Sequence, residues 1–421
     1  MSTAFRPSDI MIPKKNTDME KWSVIACDQY TSEPDYWKKT AEIVGSSKST
    51  LNMILPEIYL EENDVEKRIS DIHKTMNEYI SSDTFEIYKN SMVYVERIQS
   101  NGILRAGIVG MIDLEQYDYS KGSSSQVRAT EATVIERIPP RIRVRQNAPL
   151  ELPHIMILID DDEKSVIEPL AEMKNSFEKL YDFNLMQNGG SIKGYLIDKE
   201  TAGKIEKSLD KLADAERFSR KYSVKDMPVL VYAMGDGNHS LATAKEYYEQ
   251  LKKANPEKDF SNHPARYALA EIVNLHSDAL KFEAIHRIVT DTDTVKLINA
   301  MTEKLALSEG TEGQSFEYIT ADGRKTVSIG NTSSNLTVGS LQSFLDEYIK
   351  ENGGKIDYIH GKDVVSALAA KPDSIGFILP DMSKEQLFPT VIRDGALPRK
   401  TFSMGHAEDK RFYIECRKIS E

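Results

Sequence analysis

The sequence predicts a mixed α/β fold, because short apolar runs of strand character alternate with segments of helical spacing along most of its 421 residues. Two of those runs, His154–Ile159 and Val229–Met234, are continuously apolar, the pattern of strands covered on both faces. Hydrophobic residues make up 40% of the chain, enough for a large core without disulfide or metal staples.

Along the chain, Trp22–Cys27 reads as a short strand and Asp35–Val44 as a short helix. Over Asn63–Ser81, residues Val65, Ile69, Ile72, Met76 and Ile80 form one stripe at helical spacing. Strands are predicted at Met92–Ile98 and Ile103–Asp113, joined by Gln99-Ser-Asn-Gly102, whose Asn-Gly step favours a hairpin. Thr130–Ile138 reads as a helix stopped by Pro139-Pro140, and Val166–Tyr181 as an amphipathic helix. Ile192–Ile197 is a strand, and Thr201–Tyr222 is one long helix or two short ones. The run Val229–Met234 then leads through a turn to a helix at Leu241–Lys252. Beyond Thr290 the pattern is a smaller α+β region, with helices at Val295–Leu305 and Leu341–Glu351 and a hairpin at Ser315–Ser328. Strands recur there at Asp357–His360 and Ser374–Leu379. The expected division is 1–290 for the core and 291–421 for the smaller region, the last strand, Arg411–Arg417, being free to return to the core.

A net charge of −12 opposes a bulk polyanion, so no nucleic-acid partner is expected, while a small phosphate is compatible. No apolar stretch approaches the ~20 residues that span a bilayer, and Met1–Pro7 lacks the character of a signal peptide. Together with only two cysteines, Cys27 and Cys416, this predicts a cytoplasmic protein with no membrane partner. A homo-oligomer is compatible with the composition.

The strongest local signal is Gly235-Asp236-Gly237-Asn238-His239-Ser240, between a buried-type strand and a helix. Free N–H groups at a helix start attract anions, and glycines let a phosphate approach the backbone. In that reading Asp236 holds Mg²⁺ or acts as a base, Asn238 and His239 bond phosphate or substrate, and Ser240 caps the helix. The same residues also read as an ordinary strand-to-helix junction. The turn lacks the third glycine of the dinucleotide fingerprint, and neither a P-loop nor a His-Glu-x-x-His zinc helix occurs in the chain.

The blocks Gly107–Tyr117, Val127–Thr133 with Arg137 and Arg141, the Gly235–Ser240 turn, Asn274–Leu280, Ile285–Ile288 and Gly395–Phe402 span most of the chain in order. Together they resemble the bacterial domain-of-unknown-function family number 1015, which is related to free serine kinases of the ParB/sulfiredoxin-like fold. The resemblance implies a ParB/sulfiredoxin-like core and a nucleotide-phosphate site at the turn. In the kinases the turn reads Asp-Gly-His-His-Arg; Asp236, Gly237 and His239 match, while Asn238 and Ser240 depart. The missing arginine removes a forked phosphate donor, for which Arg128, Arg287 and Lys400 are the candidate replacements. The kinases' catalytic glutamate has no counterpart by motif.

Around the turn, Arg128 and Glu131 can clamp and orient a ligand or form an intrahelical pair, and His286 and Arg287 stand beside a strand end. Asp28, after the short strand, is a candidate base or metal ligand. Arg128, His286 and Lys400 are expected near the turn. The function expected is nucleotide-dependent phosphoryl transfer to a small polar metabolite such as a free hydroxy amino acid, with ATP or ADP as substrate and Mg²⁺ bridging phosphates. The alternatives are a nucleotide- or metabolite-binding regulator without turnover and a hydrolase using Asp236 and His239.

Overall fold

The Asn-Gly step at residues 101–102 closes the hairpin around which the first half of the chain is built. In the computed structural model, which describes residues 3–131 and 138–420, Phe85–Ile98 and Leu104–Asp113 pair antiparallel with Ile98 opposite Leu104. Gln99 N–H donates to Ile103 O, and Gly102 takes a positive φ of 79°.

That hairpin sits inside a large mixed sheet. Its order is Glu178–Asn184, Ser191–Ile197, Phe85–Ile98, Leu104–Asp113, Tyr267–Asn274, Met156–Ile159, Tyr232–Asp236, Val127–Arg128 and Tyr117–Asp118. Alternate residues of the central strands feed two different cores, as a period of two requires. Tyr94, Ile108, Ile112 and Ile272 pack with Ile205 and Leu241 of the helices Lys199–Leu212 and Asn238–Ala254. Val93, Val95, Val109 and Leu269 pack on the opposite face against Trp37 of the helix Pro34–Val44 and against Phe412 and Ile414.

Three sequence expectations are corrected. Pro139 and Pro140 do not stop a helix; they lie within the helix described over Ile138–Arg145. The preceding part of the expected helix, residues 132–137, lies outside the described residues. Over Val166–Tyr181 only Leu170–Met173 is α-helical, and Glu178–Asn184 becomes an edge strand. The Asp161 carboxylate accepts from Ser165 and Val166 N–H at 2.6 and 2.8 Å, which turns the chain before a helix starts there. The final segment forms two short pieces, Phe412–Tyr413 paired with Val24–Ile25 and Arg417–Lys418 paired with Leu150–Glu151.

Two compact units emerge: Met1–Ala129, Thr133–Leu280 and Gly405–Glu421 form one, and Thr130–Ala132 with Lys281–Met404 the other. The second unit holds an antiparallel sheet in the order Leu307–Glu309, Gly323–Ile329, Ser315–Thr320, Ile375–Ile378, His286–Thr290 and Lys355–Ile359. Its helices include Thr294–Leu305 and Thr337–Asn352.

Candidate functional site

Strand register assembles the site in the first unit. Tyr232–Asp236 runs antiparallel to Met156–Ile159 with Asp236 opposite Met156, so the residues just before Met156 meet the turn just after Asp236. His154 is therefore carried to the start of the helix Asn238–Ala254. The strand begins at Tyr232 and the helix at Asn238, each three residues away from the boundary the apolar pattern gives. Gly237, not Ser240, is the N-cap residue; its φ is 78°, and a Cβ there would stand 3.1 Å from Ile155 Cα. Gly237→Ala is expected to destabilise the protein by about 1–2 kcal/mol through the left-handed conformation alone, read as a lowered urea midpoint.

Ser240 is thus released from capping, and its hydroxyl lies 3.3 Å from His154 Nε2. The buried His154 ring has Asp28 Oδ2 at 3.4 Å from the same nitrogen and Tyr413 Oη at 2.8 Å from Nδ1. Asp28 reaches the ring because Val24–Ile25 pairs with Phe412–Tyr413 and Cys27 N–H donates to Tyr413 Oη. The same ribbon delivers Lys410, whose Nζ is 3.3 Å from Asp236 Oδ2. Lys410 is held in place by Arg97, fully buried, which donates to the carbonyls of Lys410 and Glu408 at 2.8 and 2.7 Å.

Electrostatics lock the Asp28–His154 pair. Burial pushes the Asp28 carboxyl up, but the facing imidazole and the Gln29 amide more than reverse this, leaving it well below the ordinary carboxyl value. Burial pushes His154 down, and Asp28, Asp236 and Glu57 more than offset that, so it lies above its ordinary value. A raised imidazole stabilises the fold below its unfolded value and loses that effect as pH rises through the folded one; a lowered carboxyl loses it as pH falls. The pair's contribution is therefore expected to be fullest between the ordinary values of 3.8 and 6.5. Melting temperatures of wild type and His154→Gln should converge as pH rises beyond that window; a gap that widens there would contradict the assignment. Cys27, between Asp28 and the core, has its thiol pushed up to about 12 by burial first, then by Asp28 and Glu57, and is inert.

Of the residues singled out in the sequence, the structure gathers Asp28, Asp236, Gly237 and Ser240 around His154 and Lys410. Gly235, Asn238 and His239 belong to the same junction. Arg128 lies in this unit beside Ala233, and its guanidinium donates to the carbonyls of Ser125 and Pro228 at 2.8 and 2.7 Å, so it braces backbone. Glu131, His286, Arg287 and Lys400 belong to the second unit. There Arg287 donates to the carbonyls of Arg399 and Lys400 at 2.9 and 2.8 Å. Burial raises the Glu131 carboxyl against hydrogen bonds from the Lys400 and Thr401 backbone. His286 is buried, and its Nδ1 accepts from Leu379 N–H at 3.2 Å, the setting of a core histidine.

His154, Lys410 and Tyr413 were not among the sequence candidates. His154 opens an apolar strand, which is a weak signal; Lys410 has no local pattern at all.

A family model described as a protein of unknown function (DUF1015) matches residues 11–348. The chain belongs to that family. No curated protein matches it. Solved structures similar to it include a free serine kinase in complex with AMP, at 12% identity and TM-score 0.38, covering 74% of this chain and 92% of that one. Others are a conserved hypothetical protein from Pyrococcus furiosus, at 12% identity and TM-score 0.36, covering 74% and 95%, and SbnI with a C-terminal truncation from Staphylococcus aureus. The latter match has 8% identity and TM-score 0.34, with 73% and 82% covered.

A resident magnesium ion does not fit the donors of this DUF1015 site. Among the described residues no group of three His, Cys, Asp or Glu side chains is placed to hold a metal. The carboxylate of Asp236 already faces Lys410, and that of Asp28 faces His154. A hard cation needs more oxygen ligands than this.

Proposed function

We propose that the protein transfers a phosphoryl group from a nucleotide to the hydroxyl of a small metabolite, with Asp236 taking the hydroxyl proton. The observation that carries this reading is the state of Asp236. Its Oδ2 is buried and accepts no hydrogen bond among the described residues, although Lys410 balances its charge from 3.3 Å. A buried carboxylate oxygen whose neighbouring ammonium makes no well-directed hydrogen bond is under-satisfied, and a ligand hydroxyl would complete it. The hydroxyl oxygen then attacks phosphorus, its proton passes to Asp236, and the bond to the departing nucleoside diphosphate breaks.

The phosphoryl oxygens would meet three kinds of donor: the first N–H groups of the helix Asn238–Ala254, the Ser240 hydroxyl and the Lys410 ammonium, with the positive charge of a protonated His154 close by. The helix start supplies only about 0.3–2 kcal/mol, so the side chains carry most of the affinity. Asp28 is a positioning residue here, because its lowered pKa makes it a poor base while it keeps the imidazole charged. A serine-hydrolase relay is not favoured, since Ser240 and Asp28 both lie on Nε2 and Tyr413 occupies Nδ1.

The test is diphosphate release by the full-length protein, given nucleoside triphosphate, magnesium and a pool of hydroxyl-bearing metabolites. Release that depends on an acceptor supports transfer; binding without release would make the protein a regulator. Asp28→Asn is expected to move the alkaline limb of the rate profile to lower pH by about 1–3 units, because it removes the charge that holds His154 protonated. A profile that falls in height without moving would contradict that role.

A further inference from the structure

Against His154 and Ser240 lies a cavity of about 150 Å³ in the first unit. Most of its wall is apolar, including Met53, Leu55, Leu60, Met76, Val144 and Leu150. Two arginines also line it: Arg141 faces Glu57, and Arg145 donates to Glu151 at 2.6 Å, a carboxylate that it shares with Arg417 at 2.8 Å. Both lining carboxylates, Glu57 and Glu151, are thus engaged by arginines, so the ammonium of an amino acid would find no partner in this wall, and burying it would cost more than the apolar contacts return. A cavity of this size accommodates a benzene-sized body, about six carbon atoms.

We propose that the acceptor handled at this site is a neutral alcohol whose apolar body of about six carbon atoms fills the cavity beside His154 and Ser240. The assignment rests on the phosphoryl-transfer reading of the same site and departs from a free hydroxy amino acid as the acceptor. Its affinity comes from burying methylene groups, and its hydroxyl is the single polar group that the neighbouring donors and acceptors address.

The test uses the full-length protein and straight-chain primary alcohols from ethanol to hexanol, with free serine alongside, followed by ligand-observed NMR. Kd is expected to fall about fourfold for each added methylene, while serine does not bind. Val144→Phe and Leu60→Trp fill the cavity from separate segments, and each is expected to abolish the dependence on chain length with circular dichroism unchanged. A flat series, tighter binding of serine, or a length dependence that survives both filling variants would overturn the assignment. Alcohols that bind in this way but receive no phosphoryl group from ATP would sink the transfer reading and leave the ligand class standing. Phosphoryl transfer to serine without alcohol binding would do the reverse.

Discussion

Asp236→Asn is expected to lower nucleotide turnover by about 10²–10⁴-fold with an unchanged far-UV circular dichroism spectrum. The substitution keeps the shape of the side chain and one carbonyl acceptor, but it removes the group able to take a proton. It also frees Lys410, whose ammonium stands 3.3 Å from the carboxylate in the wild type. Nucleotide affinity should therefore hold or rise slightly, because a negative charge has left the neighbourhood of the phosphates. Diphosphate release and calorimetric binding, measured on the same preparation, separate the two quantities. Affinity that collapses together with the rate would make Asp236 a binding group and remove it as the base.

The largest expected loss of stability lies behind the site. Arg411 is almost wholly buried and donates to Glu271 at 2.8 Å and to Glu415 at 2.7 Å, both carboxylates being buried as well. Arg411→Met would leave both without their shared partner, and breaking a buried pair in this way costs about 3–5 kcal/mol. Urea denaturation of the purified variant reads that loss directly. The site should suffer with the fold, because the Arg411 guanidinium also donates to the carbonyl of Pro153, the residue before His154, at 3.1 Å. Stability near that of the wild type would mean that the two carboxylates protonate or hydrate at little cost.

Elements whose pattern is local were legible in the sequence. The stripe over Asn63–Ser81 forms the helix Val65–Ser81, and the Asn-Gly hairpin stands where the turn chemistry puts it. Thr201–Tyr222 resolves into two helices, Lys199–Leu212 and Ala215–Tyr222, with Asp214 capping the second through Arg217 N–H. Val166–Tyr181 failed because tertiary pairing overrode helical spacing: Glu178 sits opposite Leu196 in the sheet. At the site, the junction around Gly237 was readable because a glycine between an apolar run and a helix is a local signal. His154 and Lys410 were not, since each reaches Asp236 only through pairings between distant segments, Met156 with Asp236 and Ile25 with Phe412. Arginine was misleading for a related reason. A guanidinium read as a phosphate clamp in Arg128 or Arg287 has backbone carbonyls for partners, which no local spacing reveals.

The transfer proposed at the Asp236 turn carries a phosphoryl group from nucleotide to a hydroxyl. Phosphorus NMR of full-length protein with ATP, magnesium and a graded set of small alcohols tests it most directly. The predicted result is ADP and a phosphomonoester appearing in equal amounts, with neither formed when the acceptor is left out or when Asp236 is replaced by asparagine. ATP left intact with every acceptor, or inorganic phosphate as its sole phosphorus product beside ADP, would contradict it.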